Sequence, residues 1–248
     1  MSPKSRPLRW LALPYAAWAA ICFLLLGTLA LVLILVMPGL QRRRQVAHVA
    51  ARVALTACLI RVRTLHRQHL PADACVVVAN HASYLDGVAL FAALPPCFGF
   101  VIKREMNNVP LAGLLLRRIG SHFVDRGGAA QGKRDARALL REARAGGAMA
   151  FFPEGTFNHA PGLARFRPGA FVIAANGGLP VVPVAIRGTR HALPPRTLLP
   201  LPGRIDVELA PPLAPPVAGD TAGIQAVMQA ARRAILARIP EPDLAPDG

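Results

Sequence analysis

Acidic residues are scarce in this chain: 13 Asp and Glu stand against 29 Lys and Arg, a formal net charge of +16 over 248 residues. Such an excess favours anionic partners, leaving a membrane surface, a phosphate-bearing substrate or nucleic acid open. Lysine is nearly missing too, since all but three of the cations are arginine. A compositional bias of that kind accounts for part of the charge. Aromatics make up only 6%, which argues against a nucleic-acid surface of basic residues interleaved with stacking rings. Cysteine is sparse: Cys22 sits in an apolar run, while Cys58, Cys75 and Cys97 are widely spaced with no CxxC pair. That spacing suggests no disulfide framework or zinc cluster and suits small buried thiols in a reducing compartment. Charged residues reach only 17% against 53% hydrophobic, with mean hydropathy +0.38, so the chain is not a disordered one. Its length allows one medium domain with an accessory segment, and no internal repeat is visible.

What is abundant is apolar sequence at the start. Trp10 to Gln41 contains no charged residue, long enough for a spanning helix and too long for a signal-peptide core. Arg42, Arg43 and Arg44 stop it, Lys4, Arg6 and Arg9 flank its other side, and Trp10, Tyr15 and Trp18 cluster at its start as an interfacial belt would. The heavier C-terminal basic flank favours a cytoplasmic body at a cytoplasmic membrane. Pro14, Gly27-Thr28 and Pro38 leave a re-entrant hairpin as the alternative to a span. Val46 to Leu65 then reads as a basic amphipathic helix, with Val46, Val49, Val53, Ala57 and Ile60 on one side and Arg44, Arg52, Arg61, Arg63 and Arg67 available for the other. Such a helix lies on an anionic membrane or packs on the domain that follows.

From Pro71 short apolar runs alternate with helical stretches. Cys75–Ala79, Phe98–Ile102, Ala148–Phe152, Val181–Ile186 and Ile205–Leu209 read as strands; Leu85–Ala93, Leu111–Ile119, Gln131–Ala145, Ala170–Ala175 and Thr221–Ile239 read as helices. Continuous Val/Ile/Phe runs suit strands covered on both faces, and the alternation points to an α/β layered sheet with flanking helices. The expected organisation is a membrane anchor helix at 1–41, a basic helix and linker at 42–70, an α/β domain at 71–217, and a C-terminal helix with a frayed tail at 218–248.

The segment Asn80-His81-Ala82-Ser83-Tyr84-Leu85-Asp86-Gly87 follows the first strand of that domain. Strand C-terminal edges are where α/β proteins hold their sites. Histidine accepts a proton near neutral pH, and a carboxylate on its other ring nitrogen fixes the tautomer. On one helix, side chains five positions apart diverge by about 140°, so His81 and Asp86 meet only if His81 sits on the loop and Asp86 in the first helical turn. Ser83-x-x-Asp86 equally reads as a capping box. Backbone amides between Asn80 and Ser83 are candidate oxyanion donors. Three segments follow in order: Phe123-Val124-Asp125-Arg126, Phe152-Pro153-Glu154-Gly155-Thr156 and Val181-Val182-Pro183-Val184.

Together, over Val76 to Arg187, these resemble the four sequence blocks of the glycerolipid acyltransferases, specifically the 1-acylglycerol-3-phosphate acyltransferase family. The resemblance implies acyl transfer from acyl-CoA or acyl-carrier protein to the free hydroxyl of a lysophospholipid at a lipid bilayer. It also implies no cofactor, no metal and no nucleic-acid partner. His81 would be the general base and Asp86 its orienting partner, with Arg126, Glu154, Gly155 and Thr156 holding the acceptor's glycerol phosphate and Lys103 as a further phosphate contact. Arginine suits that task because its planar fork pairs two phosphate oxygens at once. Two positions depart from the pattern. Phe157 stands where the third block commonly has Arg, and Arg167 where a Lys is often seen. The lost cation brings a different lysophospholipid or a lyso-aminolipid into competition as acceptor, unless Arg165 or Arg167 supplies the charge from the longer loop.

Overall fold

The computed structural model describes residues 9–125, 129–156, 160–195 and 200–245. Seven strands form one sheet: β1 (Ile60–Leu65), β2 (Val76–Ala79), β3 (Gly99–Lys103), β4 (His122–Val124), β5 (Met149–Phe151), β6 (Val181–Arg187) and β7 (Gly203–Leu209). Their order across the sheet is β1-β7-β6-β2-β5-β3-β4. All adjacent pairs are parallel except β6 and β7, so β1 and β7 run against the other five. The central strand β2 is buried at every position, as a Val-Val-Val-Ala run covered on both faces must be. Its side chains alternate between two cores. Val77 and Ala79 join α1 (Arg9–Val36), α2 (Leu40–Ala57) and α3 (Leu85–Ala93) on one face. Val76 and Val78 join α5 (Ala129–Arg144), α6 (Gly169–Gly177) and α8 (Thr221–Leu236) on the other. Two shorter helices, α4 (Ala112–Arg118) and α7 (Thr189–Ala192), complete the set among the described residues. After β6 the chain turns at Gly188, whose φ is +90° and where a Cβ would stand 2.1 Å from the Arg204 carbonyl oxygen. Only glycine fits such a position.

The N-terminal segment departs from expectation in three ways. The helix read over Val46 to Leu65 ends at Ala57, and Ile60–Leu65 is the edge strand β1, paired in parallel with Gly203–Leu209. The sheet therefore begins before residue 71. Arg44, expected on a polar helix face, is buried and donates to the carbonyl oxygens of Ile119 at 3.0 Å and Cys97 at 2.7 Å. And α1 is unbroken by the Gly27-Thr28 pair; the chain reverses after Val36, so that α1 and α2 together make a helical hairpin. Leu13–Val36 is long and apolar enough to cross a membrane, yet both ends of α1 are fastened to the rest of the molecule. Tyr15 and Trp18 donate to the carbonyl oxygens of Cys58 at 2.5 Å and Ala57 at 3.0 Å, and Arg118 donates to that of Leu35 at 2.8 Å. The outward side of α1 exposes Leu13, Ile21, Leu24, Leu25 and Leu29. Between the two readings of α2, packing on the domain is the one observed: Ala54 and Leu55 are buried, and Arg52 and His48 bond the last turn of α3.

Elsewhere β4 is a short strand beside β3 that sequence reading left unassigned. The tail read as frayed beyond Pro240 is tied down as far as it is described. Leu163 donates its N–H to the Pro242 carbonyl and accepts the Leu244 N–H, Glu241 pairs with Arg190, and Asp243 pairs with buried Arg232.

Candidate active site

The parallel strands β2, β5, β3 and β4 all end at one edge of the sheet, which brings three of the four sequence blocks together. Asn80 leaves β2 and bonds across to β6, its side-chain amide donating to the Ile186 carbonyl at 2.9 Å and accepting the Ile186 N–H at 2.7 Å. That pair of bonds continues the ladder through a side chain, so the loop starts from a fixed point. His81 comes next, on the loop, and α3 starts four residues later, which is the placement the spacing demanded. Its Nδ1 lies 2.9 Å from Asp86 Oδ2. Asp86 is fully buried, and the same oxygen accepts the N–H groups of Ala82 at 2.6 Å and Ser83 at 2.7 Å. The capping and orienting readings of Asp86 therefore hold at once: one carboxylate oxygen closes the helix start and binds the imidazole. A hydrogen bond from Nδ1–H to a carboxylate leaves Nε2, on the opposite side of the ring, as the basic nitrogen. The His81 side chain retains 19% of its surface, enough for a reactant to reach it.

Glu154 braces the other side of the loop. Its Oε1 accepts the His81 N–H at 2.7 Å and its Oε2 accepts that of Ala164 at 2.8 Å. Burial outweighs those two bonds and pushes its carboxyl up to about 7. Both oxygens of Glu154 thus accept backbone N–H groups, one of them from His81, and brace the His81 loop. Phe152 supplies a platform: its ring stacks under the imidazole with centroids 4.3 Å apart and planes 22° from parallel. Gly155 makes the turn that returns the chain, at φ +89°, and Thr156 is exposed beside it. Lys103 stands at the end of β3 on the same edge, but its ammonium pairs with Glu105 at 2.9 Å. Arg126 and Phe157 lie outside the described residues. Arg165 and Arg167 are both exposed. The amides of His81, Ala82 and Ser83 are all committed, the first to Glu154 and the other two to Asp86, so they do not serve as oxyanion donors in this conformation.

Next to this edge lies an apolar cavity of about 340 Å³ between α5 and α6, walled by Val101, Val124, Leu139, Phe151 and Ile173 and reaching Phe152 and Gly155. Phe152 thus has the cavity on one side and His81 on the other. Neither the platform nor the brace was assigned in sequence, although both lie in the Phe-Pro-Glu-Gly-Thr block. An aromatic and an acid directly after a strand that ends beside β2 were the available signal.

A loop imidazole held by a buried carboxylate at the edge of a largely parallel sheet, with an apolar cavity alongside, defines a class of site suited to proton removal from a lipid-borne group. Comparison with known proteins agrees with that class. The Acyltransferase family model matches residues 61–187, and the chain belongs to this family. It is 33% identical over 192 residues to a 1-acyl-sn-glycerol-3-phosphate acyltransferase of Chlamydomonas reinhardtii, covering 74% of this chain and 57% of that protein. It is 33% identical over 131 residues to lysophosphatidylcholine acyltransferase 1 of Rattus norvegicus, covering 51% of this chain and 23% of the rat protein. The chain therefore spans a little over half of the algal relative and about a quarter of the rat one. Its fold matches the crystal structure of the 1-acyl-sn-glycerophosphate acyltransferase PlsC from Thermotoga maritima with a TM-score of 0.72 at 22% identity, over 91% of this chain and 92% of the other.

Proposed function

We propose that this protein is a membrane-bound enzyme that moves a fatty acyl group from a thioester, acyl-CoA or acyl-carrier protein, to the free hydroxyl of a lysophospholipid. The observation that carries the reading is the His81–Asp86 pair at 2.9 Å, on a braced loop beside an apolar cavity. His81 Nε2 takes the hydroxyl proton as the oxygen attacks the thioester carbonyl. Asp86 stabilises the imidazolium that forms, and the departing thiolate receives the proton when the tetrahedral intermediate collapses. The acyl chain of the donor lies in the cavity between α5 and α6. The acceptor's phosphate is held by Arg126 and the Gly155-Thr156 turn, with Arg165 or Arg167 in place of the cation that Phe157 removes. The preferred acceptor is 1-acyl-glycerol-3-phosphate, giving phosphatidic acid. The names of the algal and rat relatives differ in headgroup but share a glycerol phosphate, which supports a phosphate-bearing acceptor over a lyso-aminolipid.

The outward apolar side of α1 sits in one leaflet of the cytoplasmic membrane, with the body on the cytoplasmic side. A helix fastened to the domain at both ends lies along the bilayer surface more readily than it stands across it. The acceptor then reaches the site by moving sideways from the lipid.

The test is acyl transfer by purified protein in lipid vesicles, from acyl-CoA and from acyl-carrier protein, onto a panel of lysophospholipids and a lyso-aminolipid. Transfer to the phosphate-bearing acceptors is expected, with His81→Ala lowering turnover by about 10²–10⁴-fold. Near wild-type turnover in that variant, or thiol release that ignores every acceptor, overturns the reading.

A further inference from the structure

The outer face of α5 carries Arg134, Arg137, Arg141 and Arg144. At about 100° per residue they sit opposite Leu139 and Ala143, which are buried against the sheet. Their spacing stacks four guanidinium groups along about 15 Å of helix. All four are exposed and together border one surface groove. No ion pair among the described residues engages them. The acids of the same helix point elsewhere: Asp135 is bound to Arg104 and to the Asp125 N–H, and Glu142 lies against Gly147. Like charges at this spacing repel, so the row weakens its own helix, and no acid among the described residues offsets it.

Two observations choose the occupant. The hairpin of α1 and α2, with its exposed apolar side, packs on the sheet face that carries Val77 and Ala79. The helix α5 packs on the opposite face, with Val76 and Val78. A bilayer that meets α1 is therefore across the sheet from the arginine row, which faces water. In addition, the inner face of α5 lines the cavity that reaches Phe152, and α5 follows β4, which ends at the site edge. Whatever sits on the row lies on the outer, aqueous side of the helix whose inner face walls that cavity.

We propose that this row docks an acyl-carrier protein, an acidic protein that delivers the acyl group as a thioester on a flexible arm. The proposal rests on the acyl-transfer reading above and selects the protein-borne donor over free acyl-CoA. The phosphates of acyl-CoA are grouped in one small headgroup and meet only part of a row this long; an acidic helix meets all of it.

The experiment uses the full chain in lipid vesicles and the double variant Arg137→Glu/Arg141→Glu, with thermal melting to show that it folds. The KM for acyl-carrier protein is expected to rise about tenfold or more, because like charges then face each other, while kcat and the KM for acyl-CoA stay within about twofold. Raised salt weakens use of the carrier protein by the wild type and has little effect on the variant. Fluorescence anisotropy with a labelled carrier protein lacking its acyl group reads docking without turnover, and the same loss is expected there. Unchanged anisotropy, an equal rise in KM for both donors, or loss of vesicle binding in the variant overturns the proposal; the last would mean that the row faces lipid. Wild-type protein that binds the carrier but transfers from neither donor sinks the acyl-transfer reading and leaves the docking surface standing. Transfer from acyl-CoA alone, with no carrier binding, does the reverse.

Discussion

Asp86 and Glu154 are the two buried acids of the site, and they stand in opposite situations. Asp86 concentrates three donors on one oxygen and so fixes the imidazole of His81 from behind. Glu154 spends both oxygens on backbone amides, one of them that of His81. Glu154→Gln replaces one acceptor by an NH₂ group facing an N–H donor, a mismatch that costs about 1–3 kcal/mol. Because the damage reaches His81 through its backbone, kcat should fall while the KM for the acceptor holds; a rise in acceptor KM with kcat intact would instead put Glu154 on the substrate. The same residue shapes the acid side of the stability curve. Its carboxyl titrates near 7 in the folded protein against an ordinary 4.5. Between those values the native state keeps a proton that the unfolded chain has released, so stability declines as pH rises through that window and is level above it. Denaturant midpoints measured across it should show that slope in the wild type and lose it in Glu154→Gln.

The α1–α2 hairpin shows which elements the sequence makes legible. The long apolar run identified α1, and a Val run followed by Ser83-x-x-Asp86 located β2 to within one residue and the start of α3 to the residue, because the signals are local. The strand β1 was hidden: Ile60 continues the helical spacing of Val46, Val49, Val53 and Ala57, which masks the two-residue alternation of Ile60-Arg61-Val62-Arg63, and pairing with β7, which comes much later in the chain, holds the segment extended. Arg44 was misread for a similar reason, since its carbonyl partners come from Cys97 and Ile119. The brace at Glu154 needed partners from the loop after β2 and from the loop after β5, a convergence no short window contains. On the hairpin itself, Leu25 and Leu29 are 63% and 55% exposed, so Leu25→Asp/Leu29→Asp should leave the melting temperature nearly unchanged. Removing two leucines from lipid forfeits about 2 kcal/mol each, so partitioning onto vesicles in a sedimentation assay should drop by well over tenfold. Retained vesicle binding would show that this face does not meet the bilayer.

The molecule as a whole is laced together around the site by its own C-terminal segment. Residues 241–245 lie along 162–164, Ala164 in turn bonds Glu154, and Glu154 bonds His81, so the described tail sits three contacts from His81. Arg232, buried on α8, holds Asp243 and also donates to the Leu163 carbonyl at 3.2 Å. Asp243→Ala strips a charge-assisted partner from that buried guanidinium and should cost about 2 kcal/mol, read as a thermal midpoint lower by several degrees. Turnover measured well below the new midpoint should fall with it, because the loop that positions Glu154 loses its backing. Full activity in a destabilised variant would show that the loop holds its shape unaided.

The pairing of β1 with β7 also sets an order of assembly. During synthesis the hairpin and β1 leave the ribosome with their inner surfaces bare, and Ile60 waits for Gly203 before its strand acquires a sheet neighbour. Nearly the entire domain must emerge before that core can close. Throughout that interval α1 lacks the finished sheet it packs on, so on the membrane reading proposed above the nascent chain is expected to reach the bilayer before its sheet is complete.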